Sequence, residues 1–192
     1  MQNPRDTIIT LPNSNLRKRS RRIGLVSPEI VKLVDDMKAA TLDWEDNRKH
    51  EVGVALAAVQ IDKLYRVVII REDFEDKDNR NFIVLINPEI TKLEGDELED
   101  FEGCLSITDI YGKVKRFNKV KVKALDINGK PFRITAEGFL ARVIQHEIDH
   151  TNGTVFIDHI KDNPKAYYKL DEDGQLEPLN YEADIATNSL LW

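Results

Sequence analysis

Residues 145–153 read Gln145-His146-Glu147-Ile148-Asp149-His150-Thr151-Asn152-Gly153, and the rest of the chain is best read outward from them. Leu140, Val143, Ile144 and Ile148 recur at helical spacing, and Asn152-Gly153 supplies a stop, so a helix is expected over 138–152. Positions i and i+4 of a helix lie one turn apart on the same face, so His146 and His150 can reach one metal ion. Glu147 lies beside that face, where it can take a proton from water at the ion. The chain has 4 histidines, and chance would produce such a pattern on the order of 0.007 times at this composition. The apolar Val143 and Ile144 argue against two histidines on a solvated face. A metal site is favoured.

Two histidines need a third protein ligand. Glu137 precedes the helix, Asp158 and His159 follow it, and Cys104 lies far upstream. Softness favours the thiolate, which binds Zn²⁺ or Fe²⁺ strongly and is deprotonated in doing so. A lone cysteine is more often a small buried hydrophobe. Here, however, Glu102-Gly103-Cys104-Leu105-Ser106 places a glycine directly before the sulfur, as a close backbone approach requires.

The chain has 192 residues, 41 % of them hydrophobic and 32 % charged, with a net charge of −6. That length suits one domain with a sizeable core. The acidic balance argues against a protein devoted to gripping DNA or RNA, which needs a basic face. No apolar run approaches the ~20 residues that span a bilayer. One cysteine excludes an intramolecular disulfide, and the start lacks a signal-peptide apolar stretch, so a cytoplasmic monomer is expected.

Near the amino terminus, Thr7 to Leu11 is a short β-prone run. The basic cluster Arg17 to Arg22 reads as the solvated face of a short helical turn, with RNA contact or targeting as the alternative. Ser27-Pro28-Glu29 marks a helix start, followed by a buried stripe of Ile30, Leu33, Val34, Met37 and Thr41; the polar run Glu45 to Glu51 ends it. Strands are expected at Arg66 to Arg71, Phe82 to Asn87 and Glu89 to Leu98, with an acidic loop at Asp73 to Asp78. A hairpin turns at Asn128-Gly129, its arms Lys119 to Asp126 and Pro131 to Ala136. Val120, Val122 and Ala124 alternate there with Lys119, Lys121 and Lys123, giving one buried and one solvated face. The expected fold is α+β, mostly antiparallel sheets packed around a central metal-binding helix. It forms one domain over 1–192, with an acidic extension at about 160–192.

Three blocks now align with one family. Gly53-Val54-Ala55-Leu56-Ala57-Ala58-Val59-Gln60, Glu102-Gly103-Cys104-Leu105-Ser106 and Gln145-His146-Glu147-Ile148-Asp149-His150 resemble, in order and spacing, the blocks of peptide deformylases. These metal enzymes remove the formyl group from the amino terminus of nascent proteins. The resemblance runs from about Ile8 to Asp158. It implies that Cys104, His146 and His150 hold the ion, with water in the fourth place. Fe²⁺ is the favoured metal, and Zn²⁺ or Ni²⁺ also occupies such sites. Glu147 would be the general acid and base; the Gln60 side-chain amide and the Leu105 backbone N–H would stabilise the oxyanion. Formyl-methionyl nascent peptides would lie as an extended strand along Gly53 and Ala55. Val54, Phe139 and Val143 would wall the methionine pocket. Asp149 would orient a ligand or pair with Arg116.

Some positions depart from the family. Ala55 stands where glycine is usual, and Lys115 stands where proline commonly precedes the arginine. Many bacterial relatives end in a basic helix thought to dock on the ribosome. Residues 160–192 instead carry three lysines against seven acids, which leaves Arg17 to Arg22 as the remaining candidate for ribosome contact. The competing readings are a zinc peptidase, which would take a downstream Glu or His as third ligand, and a catalytically silent binder of formylated peptides or ribosomes.

Overall fold

The computed structural model describes residues 3–76 and 78–191. The first two positions, Lys77 of the acidic 73–78 loop and Trp192 of the tail lie outside the described residues. In chain order the regular elements are α1 (Pro28–Asp46), β1 (Ala55–Ala57), β2 (Val67–Arg71), β3 (Phe82–Cys104), β4 (Ile107–Leu125), β5 (Pro131–Glu137), α2 (Gly138–Asn152), β6 (Tyr167–Leu170) and β7 (Leu176–Pro178). The strands form one sheet in the order β1-β2-β3-β4-β6-β7, with β5 also on β4. Every pairing between them is antiparallel. This is the expected α+β architecture, with α2 packed on the sheet.

The apolar run Val67-Val68-Ile69-Ile70 explains how two helices share one sheet. Strand residues alternate between faces. Val68 and Ile70 join Val143, Ile144 and Ile148 of α2. Val67 and Ile69 join Leu33, Val34 and Met37 of α1. A strand covered on both faces reads as continuously hydrophobic. The α1 stripe is buried as its spacing predicts, Thr41 included. The Ser27 hydroxyl makes no cap bond, so Pro28 and the buried stripe define that helix start. Gly153 closes α2 in the left-handed conformation, φ 82°.

Three local expectations are corrected. Thr7 to Leu11 forms no strand: Pro4–Thr7 is a 3-10 turn. The backbone beyond it is satisfied piecemeal, Ile9 N–H donating to Gln60 O (2.8 Å) and Leu11 N–H to Ser106 O (3.0 Å). The runs Phe82 to Asn87 and Glu89 to Leu98 are one strand, because the ladder absorbs Pro88 through a register shift between Ile86 and Glu89. Asn87 takes φ 52° there, and its side chain bridges Ile23 N–H and C=O at 2.8 and 2.7 Å. The basic cluster is helical only to Arg17. Arg17 pairs with Asp158, Arg21 lies over the Tyr65 ring and Arg22 reaches Glu89. Within the polar run that ends α1, Glu45 is buried. It accepts from Arg71 Nη1 (2.8 Å) and from Gly53 N–H (2.9 Å).

Within residues 160–192, Ile160, Ala166, Tyr167, Ile185 and Leu191 pack with Ile107, Val114, Phe156 and Ile157 in a third apolar cluster. The acidic segment is therefore held by the same burial that holds the rest of the fold.

Candidate active site

Buried residues occupy most of α2, including Arg142, Gln145, His146, Glu147 and His150. Burying so many polar groups is costly unless each finds a partner. The partners come from β3 and β4, whose connecting hairpin carries Cys104 to the helix. Cys104 Sγ lies 3.3 Å from His150 Nε2. The ligand atoms of Cys104, His146 and His150 all lie within 4.8 Å of one another, and this trio could hold a metal ion. One sulfur and two imidazole nitrogens form a donor set that suits Zn²⁺, Fe²⁺ or Ni²⁺. The other candidate ligands are engaged elsewhere. Glu137 pairs with Lys119 at 2.6 Å, Asp158 with Arg17, and His159 with Asp149 at 2.7 Å.

Glu102 sets the orientation of His146. Its carboxylate accepts from Arg116 Nε (2.9 Å) and Nη2 (3.1 Å), from Arg142 Nη1 (2.9 Å) and from His146 Nδ1 (2.9 Å). Burial alone would raise this carboxyl, but the bonds to His146 and Arg116 outweigh it and hold the group well below the usual carboxylate range. An ionised acceptor makes Nδ1 the donor and leaves Nε2 bare toward the trio. Arg142 also caps Leu98 O and Val114 O, both at 2.7 Å. Glu102→Ala would take the shared carboxylate from two buried guanidinium groups, leaving Arg116 a single carboxylate, Asp149, and Arg142 only backbone carbonyls among the described residues, with an expected loss of about 3 kcal/mol. Urea unfolding of the variant measures this; an unchanged midpoint would contradict it.

Gln60 is buried in the 3-10 turn Ala58–Ile61. Its Oε1 accepts from Ala57 N–H (2.8 Å), which turns the amide so that Nε2 faces Ser106 Oγ (3.2 Å) and Cys104 Sγ (3.5 Å). Leu105 sits in the two-residue turn between the paired Cys104 and Ile107. Glu147 is buried, and its Oε2 has no hydrogen-bond partner. Burial pushes this carboxyl up to about 7; His146 lowers it and Glu102 raises it. A carboxyl poised near neutrality beside a metal-competent cluster can both take and return a proton.

These groups open onto a cavity of about 310 Å³. Its walls include Val54, Ala55, Gln60, Cys104, Leu105, Phe139, Val143, His146 and Glu147. His150 lies behind Cys104. Gly53 does not line the cavity: its N–H is taken by Glu45, and a Cβ there would meet the Thr41 side chain at 2.7 Å. Helix packing therefore demands this glycine, and the strand-like edge begins at Ala55. Gly103 matches its reading as a close approach, because a Cβ would stand 2.6 Å from the Tyr111 ring. Val143 serves both core and cavity. Phe139 is exposed at the rim, edge-on to Phe74 at 4.8 Å between centroids. Asp149 pairs with Arg116 at 2.5 Å, as read from the sequence.

Sequence reasoning missed Glu102, Arg142, Tyr111 and Leu170. Two signals were present. Glu102 and Cys104 share a strand face at spacing two, and Arg142, His146 and His150 share a helix face at spacing four.

A family model for polypeptide deformylase matches residues 5–166. A peptide deformylase from Thermomicrobium roseum is 40 % identical over 172 residues, covering 88 % of this chain and 93 % of the relative. The crystal structure of a peptide deformylase from Legionella pneumophila superposes with a TM-score of 0.70 at 41 % identity, over 79 % of this chain and 83 % of that one. A Met-Ala-Ser-bound peptide deformylase from Acinetobacter baumannii superposes with a TM-score of 0.71 at 31 % identity, over 80 % and 96 %.

Proposed function

The chain belongs to the polypeptide deformylase family and is a hydrolase that removes the N-formyl group from nascent peptides; from that premise we propose that Cys104, His146 and His150 hold its divalent ion and that Glu147 moves the protons. The observation carrying this is the buried, unpartnered Glu147 Oε2 beside the only metal-competent Cys/His group among the described residues. Fe²⁺ is the proposed ion, in keeping with the family resemblance, and Zn²⁺ or Ni²⁺ fits the same donors. Bound there, the ion supplies Lewis acidity that makes water nucleophilic near neutral pH.

The chain's own groups do the rest. The peptide lies along β1, which is an edge strand because among the described residues only β2 pairs with it. Val54, Phe139 and Val143 surround the methionine side chain, and Ala55 offers the strand edge. Glu147 takes a proton as water attacks the formyl carbon. Gln60 Nε2 and the Leu105 N–H donate to the oxygen that gains charge, and Ala57 holds the Gln60 amide in that orientation. Such preorganised donors are worth most in a water-poor site. Glu147 returns its proton to the departing nitrogen as the C–N bond breaks and formate leaves.

We propose that the protein works in the cytoplasm and as a monomer. No described helix is long and apolar enough to cross a membrane. Arg17 pairs with Asp158, whereas Lys18, Arg19, Arg21 and Arg22 are exposed, and this stretch is the surface we propose for any ribosome contact. Formate release from formyl-Met-Ala-Ser tests the reading. Chelation should abolish it and Fe²⁺ restore it; protein that stays silent after iron is resupplied would refute it.

A further inference from the structure

One wall of the cavity lies outside residues 5–166, which carry the family match. β6 pairs with β4 through Tyr111↔Tyr168 and Gly112↔Tyr167, and this brings Leu170 to the cavity beside Phe101, Tyr111 and Trp44. The wall is braced on both sides. Tyr168 meets Phe101 edge-on at 4.9 Å between centroids, and Lys113 Nζ lies 5.0 and 5.2 Å from the two ring centres. The Tyr111 hydroxyl donates to Glu51 Oε2, and Glu51 Oε1 accepts from Arg48 (3.4 Å). The β6–β7 turn closes against the same segment, since a Cβ on Gly174 would come 2.9 Å from the His50 ring.

A peptide with its formyl group at Glu147 and its methionine against Val54 and Val143 must continue along the remaining lining. An extended chain advances about 3.3 Å per residue, and its side chains alternate. The third residue therefore faces the same side as the methionine. The remaining lining is apolar at Leu170, Phe101 and Tyr111 and carries the carboxylate of Glu51, and the acids Asp171, Glu172 and Asp173 follow Leu170 directly in the chain.

We propose that Leu170, seated by the carboxy-terminal hairpin, is a specificity determinant that reads the third residue of the formylated peptide, favouring apolar side chains and disfavouring acidic ones. This rests on the deformylase reading above. The test compares kcat/KM for formyl-Met-Ala-Leu and formyl-Met-Ala-Asp in the wild type, Leu170→Ala and Leu170→Arg. The wild type should prefer the apolar peptide. Leu170→Arg should cut that preference on the order of tenfold or more, mainly through a lower KM for the acidic peptide. Leu170→Ala, a milder change at a half-buried position, should erode it by weaker binding of the apolar peptide, and it keeps the test open should the arginine variant fail to fold. A uniform change on both peptides, or a wild type indifferent to the third residue, overturns the proposal while leaving deformylation intact. Absence of turnover on every formylated peptide would overturn both.

Discussion

Glu147→Gln is expected to lower kcat for formate release by about 10²–10⁴-fold, while the ion stays bound and the fold stays intact. The substitution keeps the shape of a buried side chain that makes no hydrogen bond through Oε2, so packing loses nothing. It removes the ability to accept a proton from water and to return it to the leaving nitrogen. Ion content and far-UV circular dichroism separate this chemical loss from unfolding. Turnover within a few-fold of the wild type would remove Glu147 from the mechanism.

Cys104→Ala is expected to empty the metal site and abolish activity. The trio would shrink to two imidazoles, and His150 Nε2 would lose the sulfur 3.3 Å away. Loss of an outer partner of a metal ligand already costs about 10–100-fold in affinity, and loss of a direct ligand exceeds that. The fold should survive, because Cys104 is half-buried at the end of β3 and the Gln60 amide keeps Ser106 Oγ as an acceptor. Metal analysis of the variant decides the matter: a normal ion content would mean that another residue completes the site.

The helix over 138–152 was legible because three local signals coincide there: apolar spacing, the paired histidines and the Asn-Gly stop. The Asn128-Gly129 turn was legible for the same reason, with Asp126 accepting from Gly129 N–H at 2.9 Å. Glu45 and Glu102 were harder, because a carboxylate is buried only by distant partners. Glu45 needs Arg71 from β2, and Glu102 needs Arg116 from β4 and Arg142 from α2. No window of sequence contains those pairs. The fusion of two β-runs at Pro88 was hidden because the bend depends on Asn87 clasping Ile23, 64 positions away. Leu170 belongs to a tail without periodicity, and only the pairing of β6 with β4 brings it to the cleft. The grouping of Cys104 with His146 and His150, which the structure brings within 4.8 Å of one another, was readable because motif order carried information that local patterning lacks.

The most direct test is deformylation of formyl-Met-Ala-Ser by anaerobically purified protein, with metal content determined on the same sample. Formate release with about one ion per chain, iron predominating, is the expected result. A full metal site without turnover would contradict the assigned chemistry at Glu147 and Gln60. Absence of both metal and turnover after iron is resupplied would contradict the ligand set of Cys104, His146 and His150.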